Sequence, residues 1–310
     1  MEKAKRILIA GSSDMDITMC MDKMPAPGET SVGGEGIYYT PGGFGAGAAI
    51  AFSRLGAESI FCTKLGADAH GHKLYEYYRE CGLNTSQIYA DKDAKTGVRA
   101  IMREADGSTR RVIFRGANAN FRPENLSPAI ATQPDALYTC LEIPFETVRA
   151  AAAEASGRGI PVVIDAAPAT KDMDLSTLSG VEIFSPNETE AEILTGIRPA
   201  GAESCLRAAL ALSRIVKCKY VVIKLGARGS YIYDRKHYML IAPARPDKTV
   251  DTDGVGDAFT AALTLEYLRT GDIKVAATYA SAAAAVAISR AGAVESLPTD
   301  EEVRAYLAKH

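Results

Sequence analysis

The sequence predicts an α/β fold in which helices cover both faces of a mainly parallel sheet. Six short apolar or β-branched runs predict strands: Arg6 to Ala10, Ser59 to Thr63, Ala136 to Cys140, Pro161 to Asp165, Ile183 to Ser185 and Tyr220 to Lys224. Helical patterns lie between them: Gly45 to Leu55, Gly71 to Cys81, Phe145 to Gly157 and Ser204 to Lys217. Because strands and helices alternate, we expect parallel strands joined by crossover helices.

Two regions depart from this alternation. Three helical stretches follow Gly256, and we expect them to cover one side of the sheet: Ala258 to Arg269, Ile273 to Ser289 and Thr299 to Ala308. Two strand-like runs between Thr96 and Arg115 surround Asp106-Gly107, which is a strong hairpin signal. Together with the stretch Ser31 to Thr40, this hairpin predicts a small separate sheet. Such a sheet serves as a lid or a dimer surface, because it cannot bury both of its faces alone.

Composition and charge indicate a small-molecule partner. The chain has 310 residues, of which 47% are hydrophobic and 24% charged, and its formal net charge is -3. It can therefore bury a substantial core, and it lacks the basic field that attracts nucleic acid or an anionic membrane. The longest apolar stretch, Ala280 to Ile288, is far shorter than the ~20 residues of a spanning helix. The six cysteines include no C-x-x-C pair, which predicts reduced thiols in a cytoplasmic protein.

The most informative segment is the glycine-rich turn from Asp251 to Asp257, which precedes the helix predicted from Ala258. Its N–H groups would point outward at the helix N-terminus and bind an anion. In phosphoryl transfer, such donors stabilise charge on the transferred group, so Gly254, Val255 and Gly256 are candidate catalytic residues. Asp257 would then accept the proton of an attacking hydroxyl. The alternative is an aspartate that only caps the helix.

A second group of polar residues follows the strand that ends at Ser185. Asn187 and Glu190 are three residues apart and therefore share one helical face. A carboxylate there can hold Mg²⁺ through water, and the metal neutralises nucleotide phosphates. Read alone, the pattern favours an ordinary helix start, with asparagine as the cap and acidic residues at the positive end of the helix dipole.

These segments resemble the ribokinase family, also called the phosphofructokinase-B family of carbohydrate kinases, over nearly the whole chain. Asp251 to Asp257 resembles the C-terminal signature of the family, and Asn187 to Glu190 resembles its N-x-x-E motif. Five further segments fit the family in order and spacing: Pro25 to Thr30, Gly42 to Gly47, Gly66 to Asp68, Gly116 to Ala119 and Lys224 to Gly229. Each match is weak alone, but together they are strong evidence.

The resemblance implies a ribokinase-like three-layer α/β/α sandwich with a mainly parallel central sheet and a small β-sheet lid. Residues 1–310 would form one domain, with lid segments at about 30–40 and 95–116. The lid would also join two subunits into a homodimer. ATP and Mg²⁺ are the implied cofactors, with Mg²⁺ held through water at Glu190. The implied nucleotide-binding residues are Asn187, Glu190, Lys224, Gly226, Gly229, Gly254, Gly256 and Ser281.

The same resemblance implies a substrate site and a cation site. Adjacent carboxylates accept hydrogen bonds from vicinal hydroxyls, which suits a sugar-like molecule. The implied substrate residues are Asp14, Asp16, Gly42, Gly43, Gly47, Glu142 and Asp257. Members related to ribokinase also bind a monovalent cation such as K⁺, and the matching positions are Asp251, Gly292 and Ser296.

Two departures from the family pattern concern the substrate. Gly47 replaces an asparagine of the N-terminal signature, and Asp14 replaces the asparagine of the first loop. Losing an amide removes two or three hydrogen bonds to sugar hydroxyls, and sites built on such bonds discriminate strongly. The departures argue against ribose, and kinases of 2-keto-3-deoxygluconate, fructose or nucleosides remain alternatives.

Other classes of protein fit the residues less well. Gly43 to Ala48 satisfies the G-x-G-x-x-[GA] pattern of dinucleotide-binding enzymes, but no buried strand precedes it. A P-loop is excluded because His72 stands where that motif requires lysine. A non-catalytic sugar or nucleotide sensor would have no need for Asp257 as a base.

Overall fold

The computed structural model describes residues 3–34 and 36–310; Glu35, within the predicted lid stretch, lies outside the described residues. In chain order, the strands are β1 (Arg6–Ala10), β2 (Asp14–Met21), β3 (Ile37–Gly42), β4 (Glu58–Gly66), β5 (Asn84–Asp91), β6 (Gly97–Glu104), β7 (Thr109–Phe114), β8 (Ala136–Cys140), β9 (Val162–Asp165), β10 (Val181–Ser185), β11 (Cys218–Lys224), β12 (Ser230–Tyr233) and β13 (Tyr238–Ile241). The helices are α1 (Phe44–Arg54), α2 (Ala69–Glu80), α3 (Pro123–Ile130), α4 (Phe145–Gly157), α5 (Glu188–Thr195), α6 (Ala202–Ile215), α7 (Val255–Thr270), α8 (Ile273–Ile288) and α9 (Asp300–Lys309).

The large sheet has nine strands in the order β13-β12-β11-β10-β9-β8-β1-β4-β5. Neighbours from β5 to β11 are parallel, whereas β12 and β13 pair antiparallel at one edge. Side chains alternate between the two faces, so Ile7 and Ile9 pack with α1, α7 and α8, while Leu8 and Ala10 pack with α3, α4 and α6. The predicted three-layer α/β/α architecture is therefore confirmed.

A second, smaller sheet has the order β3-β2-β6-β7. β6 and β7 form the predicted hairpin around Asp106-Gly107, and β2 pairs in parallel with β6. β3 begins only at Ile37, so residues 31–34 of the predicted stretch from Ser31 to Thr40 are not strand. β2 connects the two sheets, because it follows β1 directly.

The strand order places one edge of the large sheet where a ligand can bind. From β1 the chain adds β4 and β5 on one side, and it later adds β8 to β11 on the other side. In open α/β sheets, ligands bind beyond the carboxyl ends of the strands at such a reversal of direction. The strand ends that meet at this edge are Ala10, Cys140, Asp165, Ser185 and Lys224.

The helices match the predicted pattern with shifted ends. α4 has the predicted bounds, and α8 differs by one residue at its C-terminus. α7 and α8 are the longest helices among the described residues, with 16 residues each. Over residues 3–34 and 36–310, no helix combines the length and the apolar character that crossing a membrane requires.

Candidate active site

A cavity of about 730 Å³ opens at the carboxyl edge of the large sheet. Ten of its lining residues are candidate site residues from the sequence: Asn187, Glu190, Lys224, Gly226, Gly229, Gly254, Val255, Gly256, Asp257 and Ser281. Its volume is typical of sites for ligands of nucleotide size. The cavity thus brings together candidate residues that lie up to 94 positions apart in the chain, from Asn187 to Ser281.

The glycine-rich turn forms the N-terminus of α7. Gly254 is the N-cap in the left-handed conformation, with φ 78°, and a side chain there would also clash with the carbonyl of Ala293. The helix begins at Val255, three residues before the predicted start at Ala258. The N–H groups of the first helical residues have no partner inside the helix, so they are available to an anion.

Asp257 lies in the first turn of α7 and is not its cap, which corrects the alternative of a capping aspartate. Burial and the Asp165 carboxylate raise the pKa of Asp257 to about 8, whereas Lys224 opposes the shift. A carboxyl group with a pKa near neutrality suits proton transfer from a hydroxyl group. The carboxyl group of Asp257 also lies beside the free N–H groups at the start of α7, which are available to an anion.

Gly47 makes room for this carboxyl group. α1 packs against α7, and a Cβ atom at residue 47 would overlap the carboxylate of Asp257. The glycine that replaces the family's asparagine therefore allows Asp257 to adopt its position over α1. Glycine 43 is also constrained, with φ 95° at the N-cap of α1.

Lys224 lies at the end of β11 and is nearly buried. Its Nζ atom donates a hydrogen bond to Asp165 Oδ2 at 2.6 Å, and Thr260 Oγ1 donates to the same oxygen at 2.7 Å. The nearby carboxylates of Asp165 and Glu190 raise the pKa of Lys224 against the opposing effect of burial. The ammonium group therefore remains charged and lies between the cavity and the sheet.

Asn187 and Glu190 form a capping box at the start of α5. Asn187 Oδ1 accepts a hydrogen bond from the Glu190 N–H at 2.9 Å, and the Glu190 carboxylate accepts from the Asn187 N–H and Nδ2, each at 2.8 Å. The ordinary helix-start interpretation of this motif is thus correct. Burial and Asp165 raise the pKa of Glu190 to about 7, whereas Lys224 lowers it.

A cluster of acidic side chains lies beside the cavity, at the junction of the two sheets. Asp14 and Asp16 begin β2, and Glu142 follows β8. Glu142 Oε2 accepts hydrogen bonds from Ser12 Oγ and from the Phe44 N–H. Phe44 also lines the cavity, so this cluster and the cavity belong to one site.

The acidic side chains have different partners. Asp14 Oδ1 accepts from Asn118 Nδ2 at 2.8 Å, and both oxygens of Asp16 accept from Arg99. Asp14 Oδ2 and Glu142 Oε1 are buried and have no hydrogen-bond partner. Burial and Glu142 raise the pKa of Asp14 to about 8. Buried polar atoms normally have a hydrogen-bond partner, and Asp14 Oδ2 has none within the described residues.

Glycines leave space for these carboxylates. A Cβ atom at Gly42 would overlap the Asp16 carboxylate, and one at Gly97 would overlap Asp14 Oδ1. Gly42 lies opposite Asp14 in the antiparallel pair of β2 and β3. At Gly42 the lack of a side chain thus leaves room for the Asp16 carboxylate, and at Gly43 it leaves room for the backbone of Ser12.

The predicted cation residues lie next to the glycine-rich turn. Asp251 Oδ2 accepts a hydrogen bond from the Gly292 N–H at 3.0 Å, and the Ser296 N–H donates to the Gly292 carbonyl at 3.3 Å. Ser296 Oγ is buried without a hydrogen-bond partner. The structure thus joins Asp251 to the loop that contains Gly292 and Ser296.

Several site residues were missed by the sequence reasoning. Asp165 ends β9, and a carboxylate at the end of a predicted buried strand was a signal that could have identified it. Arg99 and Thr260 gave no such signal, because only the strand pairing and helix packing bring them to the site, whereas Asn118 lies in Gly116 to Ala119, a segment that fits the family pattern but was given no role from the sequence. Ser281 lines the cavity, but its Oγ accepts a hydrogen bond from the Ala244 N–H at 2.9 Å.

The fold and the site define a class of protein: an α/β protein in which the N-terminus of a helix lies beside an acidic pocket. The model of the pfkB family of carbohydrate kinases matches residues 4–300. The chain belongs to this family and is a carbohydrate kinase.

Relatives and solved structures agree with this assignment. The chain is 32% identical to a ribokinase of Haemophilus influenzae over 305 residues, which cover 98% of each chain. It is 30% identical to a deoxyribokinase of Salmonella typhi, over 97% of this chain and 98% of the relative. The structure of Arabidopsis thaliana ribokinase complexed with ribose and ATP matches with a TM-score of 0.90 and 27% identity, over 98% of this chain and 99% of that one.

Proposed function

We propose that this carbohydrate kinase transfers the terminal phosphoryl group of ATP to a hydroxymethyl group of a sugar or sugar-like molecule, with Asp257 as the general base. One observation carries the proposal: Asp257 lies in the first turn of α7, beside the free N–H groups of that turn. Its raised pKa, about 8, suits a group that must accept a proton near neutral pH. The acidic cluster supplies acceptors for the other hydroxyl groups.

The nucleotide would occupy the cavity, between the β11 side and α7. Asn187, Lys224, Gly226, Gly229 and Ser281 line this cavity together with Gly254 to Asp257. An anion there would accept hydrogen bonds from the backbone of the turn, which needs no reorganisation during transfer. Gly254 and Gly256 act through the backbone, as does Val255.

Mg²⁺ fits this site only through water. Both oxygens of Glu190 accept hydrogen bonds from Asn187, which leaves their remaining lone pairs for water molecules. Within residues 3–34 and 36–310, no group of three or more histidine, cysteine or acidic side chains is arranged to hold a metal ion. When bound at Glu190, the ion would neutralise charge on the nucleotide phosphates.

A monovalent cation fits the neighbouring loop. Oxygen atoms suit such an ion, and Asp251, the Gly292 region and Ser296 Oγ offer them beside the glycine-rich turn. The unpartnered, buried Ser296 Oγ supports the proposal, since such a group normally has a partner. A bound cation would strengthen the electrostatic field at the turn.

The phosphoryl transfer uses side chains that are already in place. The substrate hydroxyl would approach Asp257, which accepts its proton as the oxygen attacks phosphorus in line with the leaving group. The Lys224 ammonium group neutralises the Asp165 carboxylate, with Nζ 2.6 Å from Oδ2. The negative charge that develops on the phosphoryl group during transfer would therefore be repelled less. Closure over the reactants would exclude water and favour transfer to the sugar.

The small sheet would act as the lid of a single domain and as a dimer surface. Its inner face carries Asp16 and Arg99, and Arg111 extends to within 3.5 Å of Asp253 in the glycine-rich turn. Its other face exposes Ile37, Tyr39, Val112 and Phe114, by 46–60%. A second subunit that covers this face would bury them, whereas a monomer in sedimentation would refute the dimer.

A carbohydrate kinase with six unpaired cysteines fits a cytoplasmic location.

A screen of turnover tests the proposed function. The protein is incubated with ATP, Mg²⁺ and each of a panel of pentoses, deoxypentoses, hexoses, keto-deoxy acids and nucleosides, with and without K⁺, and ADP and phosphorylated product are measured. We expect ADP and a phosphate monoester to form in equal amounts with at least one sugar. Saturable binding of sugar or ATP without product would support a sensor instead and contradict the proposal.

A further inference from the structure

Arg99 holds Asp16 from the neighbouring strand. The two residues lie directly opposite each other in the parallel pair of β2 and β6. Arg99 Nε donates to Asp16 Oδ1 at 2.9 Å, and Nη2 donates to Asp16 Oδ2 at 2.5 Å. The Asp16 side chain is 7% exposed and that of Arg99 19% exposed. This bidentate pair fixes the plane of the carboxylate before any substrate binds.

The other two carboxylates of the cluster are only half satisfied. Asp14 Oδ2 and Glu142 Oε1 are buried and lack a partner, although the second oxygen of each residue accepts a hydrogen bond. A buried acceptor that loses its donor costs free energy, so a ligand that fails to supply one is rejected. Asp16 differs from them because Arg99 satisfies both of its oxygens.

The difference predicts how strongly each carboxylate discriminates against a substrate that lacks one hydroxyl group. A hydroxyl group that pairs with Asp14 or Glu142 satisfies a buried oxygen that otherwise has no partner, so its loss is heavily penalised. A hydroxyl group that faces Asp16 adds a bond to an oxygen that already has one. Its loss leaves no buried group unpaired, and the penalty is small.

We propose that Arg99 is a specificity-determining residue: by satisfying both oxygens of Asp16, it lets the site accept a sugar that lacks the hydroxyl group facing Asp16. The proposal rests on the proposed function, because it takes the acidic cluster as the sugar site. It assigns a substrate class, namely sugars with a deoxy carbon at one particular position. It also assigns part of the specificity to the small sheet, since Arg99 lies on β6.

The test compares wild-type protein with Arg99→Ala on a sugar that the wild type phosphorylates and on the analogues that each lack one secondary hydroxyl group. The readout is the ratio of kcat/KM for the parent sugar to kcat/KM for each analogue. In the wild type, we expect one ratio to be below about 10 and at least one other to be about 100 or more. In Arg99→Ala, the smallest ratio should rise about tenfold, because Asp16 now depends on the missing hydroxyl.

Controls separate this role from a structural one. Arg103→Ala removes an exposed arginine four residues further along the same strand, and it should leave every ratio within about twofold. KM for ATP should stay within about threefold in both variants, since Arg99 would not touch the nucleotide. Arg99→Lys keeps the charge but cannot form the fork, so it should give an intermediate ratio. It is the variant of choice if Arg99→Ala does not fold.

Three outcomes contradict the proposal. An unchanged smallest ratio in Arg99→Ala or Arg99→Lys would show that Arg99 does not decide tolerance of the deoxy position. Wild-type ratios of about 100 or more at every position would show that no position is tolerant. If the wild type phosphorylates no sugar, the proposed function fails first. Calorimetry then tests Arg99 through the ratio of the dissociation constant of each deoxy analogue to that of the parent sugar. If the protein binds no sugar at all, both the proposed function and the role of Arg99 are wrong.

Discussion

At the scale of the residue, the site concentrates carboxyl groups whose pKa values are raised. Burial raises the pKa of both Asp14 and Asp257 to about 8, and nearby carboxylates add to each shift. Such groups cost folding stability at neutral pH, so their presence at one sheet edge indicates a functional constraint. Gly47 contributes by leaving the volume that the Asp257 carboxylate occupies.

Asp257→Asn tests the base directly. We expect kcat to fall about 10²- to 10⁴-fold, because an amide cannot accept the proton, while binding of ATP and sugar changes about threefold or less. Steady-state kinetics and calorimetry measure the two effects. Asp272→Asn, the same change at the N-cap of α8, is the matched control and should leave kcat unaffected. A kcat near the wild-type value in Asp257→Asn would remove the assigned role.

The raised pKa of Asp257 also predicts a pH dependence of stability. The folded-state pKa, about 8, exceeds the ordinary value of 3.8, so the folded state binds the extra proton between these values. Unfolding free energy should therefore fall as pH rises from about 4 to 8. In Asp257→Asn this fall should be smaller, and at pH 8 the variant should be more stable than the wild type. Urea unfolding at several pH values measures both effects. An equally steep fall in the variant would contradict the shift.

At the scale of the element, the start of α7 is the feature that makes the glycine-rich turn a site. Because Gly254 is left-handed, the chain turns there and helix begins at Val255. The N–H groups of the first turn then face the cavity together with Asp257. Arg111 on β7 contacts this turn through Asp253, at 3.5 Å.

Arg111→Gln tests that contact. Both side chains are about half exposed, so we expect the variant to lose less than about 1 kcal/mol of stability. Unpaired Asp253 would repel the nucleotide phosphates, and KM for ATP should rise about two- to fivefold at low salt and less at 0.5 M salt. The control is Arg110→Gln, since Arg110 lies on the other face of β7 and pairs with Glu104. Equal effects of the two variants would refute a role for Arg111.

The elements differ in how well the sequence predicts them. β1, β8 and α4 have their predicted bounds, because continuous apolar runs and helical spacing identify buried parallel strands and their crossovers. β2 was missed, since its alternating carboxylates face the site and resemble a polar loop. The glycine-rich turn and the capping box are local and were predicted. Arg99 depends on strand pairing, which no local pattern encodes, whereas Asp165 could have been identified from its place at the end of a predicted strand.

At the scale of the whole molecule, the candidate site lies where the order of strands in the large sheet reverses direction. The strand ends at Ala10, Cys140, Asp165, Ser185 and Lys224 meet at the same edge, and the small sheet rises from that edge through β2. The proposed sugar site and the cavity proposed for the nucleotide are thus neighbours, with Asp257 between them. The family shares this architecture, and the proposed specificity of the sugar side depends on three of the chain's own residues, Arg99, Gly47 and Asp14.

The most direct test of the central claim is a crystal structure with a non-hydrolysable ATP analogue and a sugar identified by the turnover screen. The account predicts that the terminal phosphate accepts hydrogen bonds from the N–H groups at the start of α7, and that the sugar hydroxymethyl oxygen lies within about 3 Å of Asp257. A terminal phosphate bound elsewhere, with the turn at Gly254 to Asp257 free of ligand, would contradict it.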